Sequence, residues 1–307
     1  MTLPDLTADL SGLDADAWFD RIDALGEEHG HFERIGRHHS SLFIDAGRDL
    51  LVTFETVEAA RRMPGARPRG LDLAARHGWS LMAFLSEGET WFRDRAVWGT
   101  FDRLTDDGFF EDFGRVLFFG AGPSGYAAAS LSVAAPGARV LLFRPQATLT
   151  PAIAGWDKRF PESRRRDFTS RYGYGPDMID AARRVDIVAD PMIAPDAIHA
   201  ALYTRPNVTV HRAAWAGPRT EAAFDAMGLT PDLIAAAMAG DLSPASFGRL
   251  WRARRQNPAY LRILLKKLEV ANRPGLIRHL CAHGLTTRDA ALFERKLAEM
   301  RVTEAAE

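Results

Sequence analysis

The sequence predicts an α/β protein: a mostly parallel, doubly wound, three-layer sheet with a helical section after it. Short apolar runs rich in Val, Ile, Leu and Phe alternate with helical stretches across residues 39–228, which is the pattern of a parallel sheet. A charge-free stretch at residues 116–135 joins a strand, a glycine-rich turn and a helix. Strand patterns then end. We expect a helical flank at residues 1–38, an α/β domain at 39–228 and a helical C-terminal section at 229–307.

Composition and charge exclude several classes of protein. Of the 307 residues, 47% are hydrophobic and 26% charged, which excludes a disordered or fibrous chain. The formal net charge is −1, so we expect no membrane partner and no nucleic-acid partner drawn by the charge of the whole chain. The one cysteine, Cys281, excludes internal disulfides and fits a reducing compartment. The acidic start lacks the features of a secretory signal, and we expect a cytoplasmic protein.

The first third of the chain predicts helices followed by three strands. Leu, Trp and Phe recur with acidic residues at helical spacing up to about His38. The β-rich runs at residues 40–47 and 50–57 are separated by a short polar link, which predicts a hairpin. A third strand is expected at residues 79–85, and a helix at 97–104 follows it.

The middle of the chain carries the strongest parallel-sheet pattern. RVLFFG at residues 115–120 is an unbroken apolar run, typical of a central strand that is covered on both faces. A helix of small residues is expected at 126–135. Three more strands are predicted, at residues 138–143, 185–190 and 207–213, with helical pieces between them.

The C-terminal section predicts a succession of helices, each opened by a proline in its first turn. The predicted starts are Thr230-Pro231, Ser243-Pro244, Asn257-Pro258 and Arg273-Pro274. The later part is basic. A solvated face explains those charges, and a docking surface is the alternative. The basic residues are Arg249, Arg252, Arg254, Arg255, Arg262, Lys266, Lys267, Arg273 and Arg278.

The turn at Gly120, Gly122 and Gly125 matches GxGxxG between a strand and a helix, which is the context of a dinucleotide site. NADP or flavin binding is therefore one alternative. Several strands precede this turn, however, whereas a dinucleotide fingerprint usually follows the first strand. The next strand ends at Arg144 rather than at a carboxylate for the ribose, although an arginine suits a 2′-phosphate. We expect no cofactor.

The same turn aligns with the GxSxG nucleophile elbow, with Gly120 first, Gly122 in place of serine and Ser124 last. The run RVLFFGAGPSGYAAASLSVAAPGARVLLFRPQATLTP, with the later IVADPMIAPDAIHAALYTRPNVTV, resembles bacterial α/β-hydrolase-like proteins of about this length. The resemblance covers roughly residues 40–230 and implies their fold. Gly122 offers no nucleophile, and Pro123 has no N–H for an oxyanion hole. The expectation is a hydrolase fold that has lost its serine chemistry and binds a ligand or partner.

The other triad positions are only partly filled. Ser124 is a weak substitute nucleophile, and its alternative role is to begin a helix. Asp190 or Asp196 stands at the acid position after a strand. No histidine occurs at residues 215–220, where the base belongs. His199 and His211 are the nearest candidates, but a surface or packing role explains His199 better, and His211 lies within a strand run.

A lid is expected at about residues 150–178, between two of the predicted strands. It interleaves arginines with aromatic residues, a combination that binds phosphate or sulfate. The candidate anion-binding residues are Arg164, Arg165, Arg166 and Arg171. The alternative is an amphipathic cap held by acidic residues. A small anionic ligand or a protein partner is the expected occupant, and no metal site is predicted.

Chains similar to this one also carry the label phosphoadenosine phosphosulfate reductase. That resemblance implies a catalytic cysteine near the C-terminus in a Cys-Gly-Leu-His context. Here Cys281 lies in Leu-Cys-Ala-His and at helical spacing from Ile277, which favours a half-buried structural thiol. Sulfonucleotide reduction through Cys281 therefore stays open only as an alternative.

Overall fold

The computed structural model describes the backbone of residues 6–306 and the side chains of residues 6–302. Its strands are β1 Gly30–Ile35, β2 His39–Ile44, β3 Asp49–Thr56, β4 Ser80–Ser86, β5 Arg115–Ala121, β6 Arg139–Phe143, β7 Arg184–Ala189 and β8 Val208–Arg212. The first helices are α1 Ala15–His29, α2 Val57–Arg61, α3 Leu71–His77, α4 Arg95–Asp106, α5 Pro123–Leu131, α6 Pro151–Ala154, α7 Gly175–Met178 and α8 Ala194–Leu202. The later ones are α9 Thr220–Ala226, α10 Thr230–Ala239, α11 Pro244–Leu250, α12 Pro258–Val270, α13 Pro274–Gly284 and α14 Ala290–Ala306.

The eight strands within residues 6–306 form one sheet in the order β1-β2-β4-β3-β5-β6-β7-β8. Strand β2 runs antiparallel to both of its neighbours, and the pairs from β4 through β8 are parallel. Helices cover both faces. The predicted α/β fold with a mostly parallel, doubly wound sheet is confirmed, and this strand order is that of the α/β-hydrolase fold.

Alternate residues along each strand supply two separate cores, because side chains of a strand point to opposite faces. Leu117 and Leu141 face the layer that contains α1, α3, α9 and α10. Phe118 and Leu142 face the layer of α4, α5 and α8. The central strands are therefore apolar on both faces, which is why the sequence shows them as unbroken apolar runs.

The hairpin predicted at residues 40–57 is wrong. Strand β4 lies between β2 and β3, and the link between those two strands crosses over the start of β4. The Ser80 hydroxyl accepts hydrogen bonds from the amides of Ala46 and Gly47 and donates to the Gly47 carbonyl. A short polar link looks the same in sequence whether it joins paired strands or spans an inserted one.

The helical flank predicted up to His38 ends sooner. Helix α1 ends at His29, and Gly30–Ile35 forms the edge strand β1, paired with β2. Gly30 allows this pairing because a Cβ there would lie 2.3 Å from the Phe43 carbonyl oxygen. An edge strand with one exposed side carries few apolar residues, so its sequence gives no strand pattern.

The C-terminal section divides into two parts. Helices α10 and α11 pack through residues such as Leu233 and Phe247 on the core that contains Leu117 and Leu141. Helices α12–α14 instead share a small core of their own, formed by Leu261, Leu265, Ile277, Cys281 and Phe293. The predicted helix starts at residues 230, 243, 257 and 273 all hold to within one residue.

No single helix within residues 6–306 is both long and apolar enough to cross a membrane. The pair Thr220–Ala226 and Thr230–Ala239 would qualify only if taken together, and it is bent by 104°.

Candidate functional site

The sharp turn between β5 and α5 centres on Gly122, whose φ is 57° and ψ is −125°. The turn is held by the Gly122 amide, which donates to the Phe143 carbonyl at 2.9 Å. It stands at the carboxyl edge of the sheet, where open α/β sheets place their ligands. Gly120 lets the helix approach, since a Cβ there would lie 2.2 Å from the Ser124 carbonyl oxygen. The elbow geometry is therefore present, with glycine at the nucleophile position.

Arg144 occupies the space in which a serine side chain would lie. A Cβ built on Gly122 would come within 2.9 Å of the Arg144 Nη1 atom and 3.2 Å of its Cζ atom. The guanidinium is fixed there, because its Nε and Nη2 atoms donate to the two carboxylate oxygens of Glu221 at 2.6 and 2.5 Å. Both side chains are more than four-fifths buried. A bidentate pair thus fills the elbow.

Ser124 lies in the first turn of α5, two residues beyond the elbow position. Its hydroxyl makes no hydrogen bond with any residue that the structure describes, so no base activates it. Pro123 occupies the first helical position and has no N–H to donate to an oxyanion. The structure therefore gives Ser124 the position of a helix-opening residue.

Asp190 follows β7 at the position of a triad acid, but its carboxylate holds backbone rather than a base. One oxygen accepts from the amides of Met192 and Trp215 at 2.9 and 3.0 Å. The other accepts from the Gly217 amide at 2.8 Å. The loop after β8, residues 213–219, contains no histidine. Asp190 therefore closes the loop in which the base would stand.

His199 is fully buried in α8 and is held as a neutral ring. Its Nδ1 atom accepts from the Ala147 amide at 3.2 Å, so its Nε2 atom carries the proton and donates to Asp157 at 3.1 Å. Trp156 packs against the ring, with the two ring centroids 4.6 Å apart. Burial lowers the pKa of His199 to about 4. The contacts to both nitrogens are inside the protein, so this histidine positions the lid instead of serving Ser124.

The side chain of His211, the other candidate histidine, also contacts a partner inside the protein. It lies inside β8, and its Nε2 atom is 2.7 Å from the buried carboxylate of Asp186.

Arg159 of the lid bridges two buried carboxylates. Its Nε and Nη2 atoms donate to Asp157, and its Nη1 atom donates to Asp196 at 2.6 Å. Burial raises the pKa of Asp196. Burial also acts to raise the pKa of Asp157, but hydrogen bonds from Arg159 and His199 outweigh it and hold that pKa at about 2. These groups anchor the lid to α8.

A second bridge stands on the other side of the elbow. The guanidinium of Arg69 donates to both carboxylate oxygens of Asp225 at 2.7 and 2.9 Å. The Arg69 amide donates to the carboxylate of Glu55, at the end of β3, at 2.9 Å. Burial raises the pKa of Glu55 to about 7, and the neighbouring arginine only partly opposes this.

We call these groups the edge network: three arginines and five acids at the carboxyl edge of the sheet. Sequence reasoning missed most of this network. The sequence suggests Arg144 only as a partner for a 2′-phosphate, whereas its partner in the structure, Glu221, lies 77 residues further along the chain. A signal exists for two members, since Glu55 lies at the end of an apolar strand and Arg144 directly follows one, but their pairing needs the fold. The members are Glu55, Arg69, Arg144, Asp157, Arg159, Asp196, Glu221 and Asp225.

Residues 150–178, the predicted lid, pack over the same edge of the sheet. Phe168 contacts Trp91 and Tyr126 in a small aromatic cluster. The Tyr126 hydroxyl donates to the Tyr172 carbonyl at 2.9 Å. Arg93 donates to lid carbonyls of Asp167 and Arg171 at 2.7 Å each. These contacts hold the predicted lid against the domain beneath it.

The four predicted anion-binding arginines have separate partners. Arg164 donates to the Ala154 carbonyl, and Arg166 donates to the Glu89 carbonyl at 3.4 Å. Arg165 is 81% exposed and pairs with Glu162, while Arg171 pairs with Asp102. The structure does not gather the four guanidinium groups around one point, and anion binding stays a prediction.

Cys281 lies in the core of the α12–α14 bundle and is fully buried. Burial raises the pKa of its thiol above the ordinary value. A buried thiol with a raised pKa is a poor nucleophile.

Neither a protein-family model nor a curated protein matches the chain. Solved structures with partial similarity to the chain include the following three. MPT51 of Mycobacterium tuberculosis has 15% identity and a TM-score of 0.43, covering 66% of this chain and 95% of its own. Carboxyl esterase 2 of Tuber melanosporum has 11% identity and a TM-score of 0.41 over 65% and 82% of the two chains. The capsule O-acetyltransferase of Neisseria meningitidis serogroup A has 13% identity and a TM-score of 0.38 over 63% and 91%.

Proposed function

We propose that this chain is a binding protein on an α/β-hydrolase fold and performs no serine-dependent acyl transfer. The single observation that carries the proposal is Arg144, whose guanidinium takes the place of the nucleophile side chain. Because Glu221 holds that guanidinium with two hydrogen bonds, the elbow is filled by an ion pair that would have to break before a substrate carbonyl could approach.

The missing proton relay supports the same proposal. A serine nucleophile needs a base within hydrogen-bond reach and a third group that orients the base. Both carboxylate oxygens of Asp190 accept hydrogen bonds from backbone amides, and both ring nitrogens of His199 are hydrogen-bonded inside the protein. A reaction would need several simultaneous changes rather than the return of one serine.

The two enzymatic alternatives from the sequence gain no support. Sulfonucleotide reduction needs an accessible thiolate, and Cys281 is enclosed by the core of its helical bundle. A dinucleotide pyrophosphate needs an open backbone at the glycine-rich turn, whereas Gly122 is buried beneath the Arg144 guanidinium. We therefore expect NADPH and FAD each to leave the melting temperature unchanged.

A fluorophosphonate probe, which labels activated serines, tests the proposal. We expect no labelling of the native protein or of the Ser124→Ala variant, and p-nitrophenyl acetate hydrolysis no faster than in buffer. Gly122→Ser should also stay unlabelled, because no histidine stands ready to accept its proton. An unrelated serine esterase is the positive control. Labelling of the native protein that Ser124→Ala abolishes would overturn the proposal.

A further inference from the structure

Two parts of the chain carry net charges of opposite sign, although the net charge of the whole chain is only −1. Residues 244–307 contain thirteen Lys and Arg against six Asp and Glu, a surplus of seven positive charges. The first 243 residues contain 26 Lys and Arg against 34 Asp and Glu, a surplus of eight negative charges. Such asymmetry is typical of a chain in which one part meets an anionic partner.

The turn between α12 and α13 presents aliphatic side chains to solvent. Val270, the last residue of α12, is 81% exposed, and Leu276 in the first turn of α13 is 54% exposed. Asn272 between them has a positive φ of 46°, which sets the tight reversal. A cleft of about 560 Å3 opens at this turn between Arg273, Pro274 and His279. We call residues 266–279 the tip.

Basic side chains flank the aliphatic ones. Lys266 lies one helical turn before Val270 and therefore on the same side of α12. Neither the Lys266 ammonium nor the Arg273 guanidinium has a hydrogen bond or ion pair with any residue that the structure describes. Two other basic side chains of α12 are engaged: Arg262 pairs with Asp289, and Lys267 lies over the Trp215 ring.

We propose that the tip docks on an anionic phospholipid surface. Val270 and Leu276 would enter the boundary between headgroups and acyl chains, while Lys266 and Arg273 would contact lipid phosphates. The surplus of positive charge over residues 244–307 adds long-range attraction to the same surface. The inference is independent of the proposed loss of hydrolase chemistry, because it uses no residue of the elbow.

Two observations favour a membrane over nucleic acid. Exposed aliphatic side chains gain nothing from a phosphate backbone but are stabilised by leaving water for lipid. The tip also contains no Phe, Tyr or Trp on which bases could stack. The expectation of no membrane partner was drawn from the net charge of the whole chain, which averages two regions of opposite sign.

Vesicle flotation tests the proposal with the full-length protein. Vesicles of phosphatidylcholine with 30% phosphatidylglycerol should carry the protein upward at 0.1 M NaCl, and pure phosphatidylcholine vesicles should not. Raising NaCl to 0.5 M should weaken binding about tenfold, because salt screens the lipid charge. Val270→Ser with Leu276→Ser, and separately Lys266→Gln with Arg273→Gln, should each reduce binding by about tenfold.

Matched controls make the same types of substitution at exposed positions outside the tip. Met192→Ser with Ile198→Ser removes two aliphatic side chains of the α/β domain that are 49% and 45% exposed, and Arg252→Gln with Arg255→Gln removes two charges before α12. The aliphatic control should bind like the native protein, and the charge control should lose less than the tip variants do. Circular dichroism should show the same helix content throughout, since every altered side chain is exposed. Equal binding to both kinds of vesicle, no binding to either, or capture by duplex RNA alone would overturn the proposal.

Discussion

The edge network and the tip use the same residue types in opposite ways. At the carboxyl edge, Arg69, Arg144 and Arg159 each meet a carboxylate at 2.9 Å or less and are at least two-thirds buried. At the tip, Lys266 and Arg273 meet no described carboxylate. Charge that is paired inside fixes the position of loops, whereas unpaired charge outside is free to meet a partner. The paired charges at the carboxyl edge therefore stabilise the loops that meet there.

The largest expected effect is the loss of one partner from the elbow pair. Arg144→Met should lower the free energy of unfolding by about 3–5 kcal/mol, because it leaves the Glu221 carboxylate buried without a partner. Denaturant unfolding followed by circular dichroism measures this change. Arg165→Met, which breaks a pair that is about 80% exposed on both sides, should change it by less than about 0.5 kcal/mol.

A double variant distinguishes the loss of the Arg144–Glu221 ion pair from the cost of leaving one charge buried without a partner. Arg144→Met with Glu221→Leu removes both charges and should recover stability to within about 1 kcal/mol of the native protein. If the single variant unfolds at the native denaturant midpoint, the pair does not hold the elbow and the comparison between the two regions fails.

Glu55 gives the edge network a dependence on pH. Burial raises its pKa to about 7 from an ordinary value of 4.5, so the folded protein binds a proton more tightly than the unfolded chain. Its contribution to stability is therefore lost as pH rises from 4.5 to 7, by up to about 3 kcal/mol. His199 acts in the opposite direction, since its lowered pKa makes stability rise between about pH 4 and 6.5.

The Glu55→Gln variant isolates the first effect. Its side-chain oxygen can still accept from the Arg69 amide, but it does not ionise. The difference in unfolding free energy between variant and native protein should grow in favour of the variant from pH 5 to pH 8. A difference that stays constant over this range would show that Glu55 is charged at every pH tested.

The sequence predicts the fold well where periodicity decides it. Strands β5, β6 and β7 are buried on both faces, so their apolar runs are unambiguous. Strand β1 lies at an edge and carries polar residues, and the link between β2 and β3 hides the insertion of β4. Periodicity describes one element at a time and does not contain the order of strands.

The candidate site, like the fold, is only partly predictable from the sequence. The glycine at the elbow and the proline after it are local, and their chemical consequence follows from the sequence alone. The pairing of Arg144 with Glu221 depends on which strand ends meet which helix start. Ion pairs between distant residues have no local pattern, and the burial that shifts the pKa of Glu55 exists only in the folded sheet.

The smallest expected effect concerns the arginines of the predicted lid. They are intermediate in pairing and exposure between the edge network and the tip. Arg165 is paired yet 81% exposed, and Arg164 has a buried Nε atom without a hydrogen-bond partner. If sulfate binds here, 10 mM sulfate should raise the melting temperature by about 1 °C more than chloride of equal ionic strength, since charge-assisted bonds at an exposed site are weak. Arg165→Gln with Arg166→Gln should abolish that difference, whereas Lys266→Gln with Arg273→Gln should preserve it. An identical response of the native protein to both salts would show that the lid arginines are a solvated face and that anion binding has to be sought elsewhere on the molecule.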